Sequence, residues 1–426
     1  MKHTVGEIIL KNGARGLLID VPGSSVVSSS IHFRAGNRYV KNRDIYETAH
    51  IMEHMAFGAN AKFTSATEYS AEFEKNGAYH NAYTSDIGMM YVADSAEIEC
   101  ERILELQKIA ITTPKFLSKE LLAESGNVQE ELTGYLSNNH RLLWQRLALA
   151  SGDPLMLDED RLGTIGNITL DDIREHYERT HVLNNMRFIV AGPLKGRKRQ
   201  IADMFESWRL PAGDRLVIPK DEITSAAPVL IERKEVPNLI FGICMTLDER
   251  LSDAEFDAMG ALNHILTGSL HSRILGTARQ RGLVYHMWSD VSHGAYNSEW
   301  SFGGQVSLNN ALKLFDIMVE QMNRVRAGQI SAKEVEAARQ YGLGKFQMAG
   351  QTVAQIADWY SGRYFFEDYI HKFNYYPRAI RAITAAKIAE TAEKFINSNT
   401  WVIGGLGSPD QTLLDKLQSK WQKIFD

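Results

Sequence analysis

The segment Ile168-Thr169-Leu170-Asp171-Asp172-Ile173 begins a pattern that occurs twice in the chain. A helical stretch and the apolar strand pattern Met186-Arg187-Phe188-Ile189-Val190-Ala191-Gly192 follow it. The same order returns as Ile383-Thr384-Ala385-Ala386-Lys387-Ile388, a helical stretch, and Thr400-Trp401-Val402-Ile403-Gly404-Gly405. Because self-similarity at a fixed offset is the signature of repeated architecture, the sequence predicts two related halves.

A second echo keeps the same order and nearly the same offset. Glu53-His54-Met55-Ala56-Phe57-Gly58 corresponds to Asn263-His264-Ile265-Leu266-Thr267-Gly268. Periodicity breaks between Leu210 and Pro228, where Pro, Gly and Ser cluster. We therefore predict an N-terminal domain over 1–212, a linker over 213–227 and a homologous C-terminal domain over 228–426. Coincidental helix and strand patterning is the alternative explanation, and the shared order of the two echoes weighs against it.

Within each half, strand patterns alternate with helical patterns. Ile8–Asp20 predicts a hairpin around Asn12-Gly13, a pair that favours a tight turn. Asp44 and Glu47 predict a capping box at the start of a helix that ends at Gly58. Further strand patterns cover Val26–Phe33, Tyr79–Thr84 and Gly88–Ala93, and further helical patterns cover Ala96–Ala110 and Ser118–Ala148. We predict an α+β fold of two related α/β-sandwich halves, each a mainly antiparallel sheet packed against helices.

Composition excludes several classes of protein. The 426 residues are 44% hydrophobic and 23% charged, which is typical of globular domains, and the net charge of -5 argues against nucleic-acid binding. Cys100 and Cys244 are the two cysteines, and no Cys-x-x-Cys pair occurs. Lys11 and Arg15 interrupt the first apolar segment, and no run of about 18 apolar residues occurs. We therefore predict a cytoplasmic protein with no membrane span.

The motif His50-Ile51-Met52-Glu53-His54 carries the chemistry. On a helix, His50 and His54 project from one face and can hold one ion, while Glu53 borders that face. Catalytic zinc takes three protein ligands and one water, so a third ligand is needed. Glu124 and Glu131 are seven residues apart on a predicted helix and share a face. One of them can bind the metal while the other orients a histidine; a solvated or salt-bridged helix face is the alternative explanation.

The inverted His-x-x-Glu-His motif resembles the pitrilysin/insulinase family of zinc peptidases, in which a distal Glu ligand follows after about 76 residues. Here positions 55–130, which are 76 residues, separate His54 from Glu131. Gly77-Ala78-Tyr79-His80-Asn81-Ala82-Tyr83-Thr84-Ser85 is similar to an edge strand of the family, and Gly282-Leu283-Val284-Tyr285 is similar to its second-half signature. Length and duplication resemble the short, two-domain branch typified by mitochondrial processing peptidase and bacterial relatives.

The resemblance implies that His50, His54 and Glu131 bind one Zn²⁺, that Glu53 is the catalytic base, and that Glu124 supports the site from outside the ligand set. A peptidase mechanism follows, in which Glu53 takes a proton from zinc-activated water and passes it to the leaving amine.

The resemblance also implies where a substrate is held. Asn81 and Ala82, on the edge strand, are expected to pair with an extended peptide through main-chain hydrogen bonds. Relatives offer an Arg and a Tyr from the second half. Tyr285 is present here, but Ala278 stands where the Arg is expected, and Arg279 is its neighbour. Arg279 is therefore the candidate partner, unless a second subunit supplies the pair.

The second half has lost the metal chemistry. Gly260 corresponds to His50, Asn263 to Glu53 and Lys345 to Glu131, so we predict no catalytic zinc there.

We predict a zinc metalloendopeptidase that hydrolyses oligopeptides or unfolded leader segments inside a dimeric chamber. The dimer is a homodimer or a heterodimer with a related metal-free subunit, with no nucleic-acid or membrane partner. A catalytically silent scaffold or partner subunit of the same fold, and a metal-binding module without hydrolytic activity, are the alternatives.

Overall fold

The computed structural model describes residues 1–426. The strands are β1 Thr4–Ile9, β2 Arg15–Asp20, β3 Val26–Phe33, β4 Tyr79–Thr84, β5 Met89–Ala96, β6 Arg187–Gly192, β7 Val229–Glu232, β8 Asn238–Leu247, β9 Val284–His293, β10 Ser298–Ser307 and β11 Trp401–Gly407. The helices are α1 Thr48–Ala56, α2 Ala66–Glu74, α3 Cys100–Thr112, α4 Ser118–Tyr135, α5 Asn139–Ala150, α6 Asp158–Thr164, α7 Leu170–Thr180, α8 Lys198–Glu206, α9 Asp253–Leu266, α10 Leu275–Gln280, α11 Leu308–Arg326, α12 Ala332–Ala349, α13 Val353–Glu367, α14 Tyr376–Ala382, α15 Ala385–Ser398 and α16 Gln411–Gln422.

The strands form two sheets with matching topology. The first has the order β1-β2-β6-β3-β5-β4, and the second has the order β7-β11-β8-β10-β9. One pair in each sheet is parallel, β2 with β6 and β7 with β11, and the other pairs are antiparallel. The second sheet therefore repeats the last five positions of the first. This confirms the predicted α+β class with two related, mainly antiparallel sheets.

The predicted N-terminal hairpin is confirmed. Strands β1 and β2 pair from Thr4 with Asp20 to Ile9 with Arg15. Gly13 adopts φ +96°, a left-handed conformation that glycine reaches without a Cβ clash.

The chain divides into two compact units, and each contains segments from distant parts of the sequence. The first comprises 1–135, 158–219 and 348–373; the second comprises 136–157, 220–347 and 374–426. In the first unit, α13 packs on β3 and β6, while in the second α5 packs on β8 and β11. The linear boundaries at 212 and 228 stay a prediction about the homologous halves.

Helix α5 contacts the second sheet through buried leucines. Leu143 and Leu147 are fully buried in a cluster with apolar side chains of β8 and β11. A Cβ at Gly242 would lie 2.5 Å from Cδ1 of Leu147, so glycine permits this close approach of helix to sheet.

The prediction of one continuous helix over Ser118–Ala148 was wrong. The segment is divided into α4 and α5, because the side chain of Asn138 accepts a hydrogen bond from the Arg141 N–H and caps a new helix.

No helix combines the length and the apolar character that crossing a membrane requires.

Candidate metal centre

Two helices of the first unit, α1 and α4, bring the predicted ligands together. His50 and His54 lie one turn apart on α1, with ring centroids 5.0 Å apart. Oε2 of Glu131, on α4, lies 3.5 Å from Nε2 of His50 and 3.9 Å from Nε2 of His54. All three ligand atoms lie within 4.8 Å of one another. The structure therefore places two imidazoles and one carboxylate at a single point.

The two imidazole rings are oriented by carboxylates on their other side. Nδ1 of His50 is 3.0 Å from Oε2 of Glu47, and Nδ1 of His54 is 3.1 Å from Oε2 of Glu124. Both Nε2 atoms are thereby left facing Glu131. Tetrahedral ligands at the usual zinc distances lie about 3.3 Å from one another, so this donor set fits zinc with little movement. The fit rests on donor chemistry and spacing together.

The electrostatics of the site reflect this close pairing. The hydrogen bond with His50 lowers the pKa of Glu131 to about 2, and the Tyr135 hydroxyl, which donates to Oε1 of Glu131 at 2.7 Å, adds to that effect. Burial alone would lower the pKa of His50, but hydrogen bonds with Glu131 and Glu47 outweigh it and raise the pKa to about 9. The hydrogen bond with His54 likewise lowers the pKa of Glu124. The carboxylates are thus ionised at neutral pH, as metal ligands must be.

Glu53 lies on the same helix and is nearly inaccessible to solvent. Burial raises the pKa of its carboxyl, although a hydrogen bond from Thr84 and the nearby His50 and His54 act in the opposite direction. Oγ1 of Thr84, on β4, donates to Oε2 of Glu53 at 2.7 Å. A buried carboxylate is therefore held on the same helix as the two candidate histidine ligands, with a pKa raised by burial.

Four side chains around the candidate ligands were not predicted from the sequence: Glu47, Thr84, Tyr135 and Arg161. The capping box predicted for Asp44 and Glu47 was wrong. Asp44 lies in a short 3-10 turn, helix α1 begins at Thr48, and the Glu47 side chain makes no capping hydrogen bond. It bonds His50 instead. The spacing of three residues between Glu47 and His50 was the available signal, because such side chains meet on a helix.

The predicted edge strand lies at the edge of the first sheet. Asn81 and Ala82 are on β4, the last strand in the sheet order. The Ala82 N–H donates to Oδ1 of Asn81 at 2.9 Å. Tyr79 and Tyr83, on the same strand, are each about half exposed, at 50% and 48%. The first unit therefore has an accessible strand edge with aromatic side chains.

Arg279 and Tyr285 lie in the second unit and contact each other. Nη1 of Arg279, on α10, donates to the Tyr285 carbonyl at 2.7 Å, and its guanidinium lies 4.9 Å from the Tyr285 ring centroid. Tyr285 is 82% exposed at the start of β9, the edge strand of the second sheet, and lines an open cavity of about 570 Å³. The two residues contact each other, and Tyr285 is largely exposed.

The second unit contains no equivalent ligand set. Gly260 is on α9 and Lys345 on α12, and His50, His54 and Glu131 are the one group in the chain with metal-ligand spacing. His264 stacks on Tyr341, with ring centroids 3.9 Å apart.

Two different family profiles match the first and the second half of the chain. Residues 16–152, which include the ligand set and Glu53, match the profile described as insulinase (peptidase family M16). Residues 167–341 match the profile described as the peptidase M16 inactive domain. The two related sheets and this pair of matches place the chain in the class of two-domain proteins with the M16 peptidase fold. The chain belongs to peptidase family M16.

Curated relatives are distant and longer. The β subunit of rat mitochondrial-processing peptidase is 25% identical over 234 residues, 53% of this chain and 45% of the relative. The human β subunit is 26% identical over 221 residues, 50% of this chain and 43% of the relative. Insulin-degrading enzyme-like 2 of Arabidopsis thaliana is 31% identical over 93 residues, 22% of this chain and 10% of the relative. The chain thus spans less than half the length of these relatives.

Solved structures share the fold over nearly the whole chain. A protease from Helicobacter pylori superposes with a TM-score of 0.80 at 17% identity, over 96% of this chain and 100% of that one. A peptidase M16 inactive domain from Pseudomonas fluorescens gives 0.81 at 18% identity, over 96% and 98%. At these identities the likeness concerns the fold alone.

Proposed function

We propose that this chain is a zinc-dependent endopeptidase that hydrolyses oligopeptides or unfolded leader segments. The observation that carries the proposal is the convergence of Nε2 of His50, Nε2 of His54 and Oε2 of Glu131, with the Glu53 carboxyl buried beside them. Two imidazoles and one carboxylate leave a fourth zinc position for water, which is the arrangement of catalytic rather than structural sites.

Glu53 is the side chain that would transfer protons during the reaction. When bound, zinc would lower the pKa of a water to about 7 and polarise the peptide carbonyl. Glu53 would accept the proton from that water at a carboxylate oxygen and later donate it to the leaving amine. Burial supports this role, because it raises the pKa of Glu53 towards the pH at which a group can both take and return a proton.

Edge strand β4 supports a preference for extended, unfolded segments. A peptide added to a strand edge is held by main-chain hydrogen bonds, which require an extended backbone and say little about sequence. We assign Asn81 and Ala82 to this contact, and Arg279 with Tyr285 to further contacts with the substrate backbone. A dimer that encloses the site, either a homodimer or a heterodimer with a metal-free relative, and a cytoplasmic location complete the proposal.

A catalytically silent scaffold or partner subunit is the second candidate. It is supported by the match of residues 167–341 to the inactive-domain profile and by the Pseudomonas fluorescens structure of that description. The matched stretch, however, contains none of His50, Glu53, His54 and Glu131. A scaffold has no need of three aligned ligands with oriented rings, so the first unit favours the enzyme.

Metal analysis combined with a cleavage assay separates the two candidates. The purified chain should contain about one zinc per chain, cleave an unstructured peptide, lose that activity to a chelator and regain it when zinc is returned. Native mass under the same conditions reports the oligomeric state. A zinc-loaded chain that leaves unstructured peptides intact, alone and with any copurifying subunit, is instead the silent form.

A further inference from the structure

A buried ion pair stands directly behind one of the candidate ligands. The Glu47 side chain is fully buried, and Nε of Arg161 donates to its Oε1 at 2.6 Å. Nη2 of Arg161 donates to Oε2 at 3.0 Å, the same oxygen that lies 3.0 Å from Nδ1 of His50. Two N–H groups of Arg161 and one ring nitrogen of His50 therefore meet the two oxygens of one carboxylate, a group that can only accept hydrogen bonds when ionised.

The pair connects helix α1 to α6. Arg161 lies on α6, and its Nη1, which does not contact Glu47, donates to Oδ1 of Asp158 on the same helix at 3.0 Å. Helix α6 packs in turn against α4, which carries Glu131. The partner behind His50 is thus held by an element that also contacts the helix of the third ligand.

We infer that Glu47 is a positioning residue for the metal site, which holds the His50 ring with its proton on Nδ1 and its Nε2 lone pair facing the metal. Arg161 serves this arrangement by fixing the Glu47 carboxylate. The inference rests on the proposed zinc site, and it extends that site to two residues beyond the five side chains predicted for it from the sequence.

The physical reason lies in the two nitrogens of imidazole. A neutral ring carries one proton, and a nitrogen can bind a metal only if the proton is on the other nitrogen. An ionised carboxylate at Nδ1 accepts a hydrogen bond and cannot donate one, so it forces the proton onto Nδ1. Partners of this kind raise metal affinity without touching the metal.

A purely structural ion pair is the competing explanation, and Glu47→Gln distinguishes the two. The amide oxygen would occupy the position of Oε2, where it can still accept from Nη2 of Arg161 and from Nδ1 of His50, and the amide NH₂ would face Nε of Arg161. The His50 ring would then keep a hydrogen-bond acceptor at Nδ1 but lose the negative charge that strengthens this hydrogen bond and raises the basicity of the ring toward a metal. We expect the zinc Kd, measured by competition with a chelator, to rise about 10–100-fold.

Two further variants guard against loss of folding and against indirect effects. Glu47→Leu combined with Arg161→Leu removes both buried charges together, a replacement that proteins often tolerate, and should weaken zinc binding as Glu47→Gln does. Asp158→Asn is the matched control, because it removes another carboxylate partner of the same Arg161 without touching the Glu47 contact with His50. Its zinc Kd should equal that of the wild type.

A folded Glu47→Gln or double-Leu variant with wild-type zinc affinity would overturn the inference. So would an Asp158→Asn variant that loses as much affinity as Glu47→Gln, because the loss would then follow from loosening α6. Failure of the proposed function gives a different result. A wild-type chain that binds no zinc overturns both, whereas weakened zinc binding in the Glu47 variants of a chain that cleaves no peptide overturns the peptidase alone.

Discussion

Oγ1 of Thr84 donates a 2.7 Å hydrogen bond to Oε2 of Glu53. Thr84 is the last residue of edge strand β4, and Glu53 is on helix α1, so the bond joins the proposed peptide-binding edge to the proposed base. The carboxylate is thereby fixed relative to the strand on which a substrate would lie. Because general-base catalysis depends on hydrogen-bond reach, this contact links substrate position to proton transfer.

Replacement of the base separates catalysis from metal binding. In Glu53→Gln the amide oxygen can still accept from Thr84, so the site should keep its shape and its zinc. The amide cannot take a proton from water, and we expect kcat for an unstructured peptide to fall by about 10²–10⁴-fold. Zinc content and peptide cleavage are measured on the same preparation. Glu130→Gln, at an exposed neighbour of the proposed ligand Glu131, is the control; equal activity of the two variants would contradict the role given to Glu53.

Replacement of the third ligand should act on the metal itself. Glu131→Gln removes the charge that offsets the metal and weakens the oxygen donor, so the zinc Kd should rise. The increase should exceed that of Glu124→Gln, for which we expect about 10–100-fold because Glu124 acts only through the His54 ring. Titration against a chelator of known affinity gives both values. If Glu124→Gln raises the zinc Kd more than Glu131→Gln does, Glu124 rather than Glu131 is the third ligand.

The sequence predicted the parts of the fold and site that depend on local pattern. The hairpin around Gly13 and strand β3 follow from turn chemistry and apolar runs, and His50 and His54 follow from helical spacing. The contact of Glu131 with both imidazole rings could be predicted only from the resemblance in spacing to the family motif, because no local sequence pattern specifies how α4 packs against α1. That contact is tertiary, and periodicity carries no information about it.

Two of the missed residues share one physical cause. Arg161 and Thr84 come from α6 and β4, which reach the site only through packing of distant segments. Glu47 was assigned to capping because its spacing from Asp44 matches the local rule. A buried ion pair with Arg161 and a hydrogen bond with His50 outweighed that rule. The placement of α5 on the second sheet was missed for a similar reason, because a continuous helical pattern concealed the cap at Asn138.

The packing of α5 on the second sheet can be tested with two leucines. Leu147 is fully buried between the helix and the sheet, so Leu147→Ala should leave a cavity and destabilise the protein by about 2–5 kcal/mol. Leu270, which is 58% exposed in the same unit, provides the matched control, and Leu270→Ala should change stability little. Denaturant unfolding followed by tryptophan fluorescence compares the two. Equal effects would show that α5 contributes no core contact.

We expect the stability of the protein to depend on pH through one carboxyl group that lies far from the metal-site residues in the sequence. Glu299 lies on β10 in the second unit; burial raises its pKa to about 7, and nearby Asp153 adds to that shift. The unfolded value is about 4.3. Between these two pKa values the folded protein holds a proton that the unfolded chain releases. The stabilising contribution of the protonated Glu299 carboxyl to the free energy of unfolding is therefore complete below about pH 4 and is lost as the pH rises through about 7.

Glu299→Gln removes that dependence, because the amide is neutral at every pH. At pH 8 the variant avoids a partly buried charge near Asp153, and we expect it to be more stable than the wild type by about 1–2 kcal/mol. At pH 5, where the wild-type carboxyl is protonated in the folded protein, the difference should be smaller. Thermal unfolding of both proteins at the two pH values isolates Glu299, because every other group titrates alike in the pair. A gain of the same size at pH 5 and pH 8 would mean that the Glu299 carboxyl is not the titrating group.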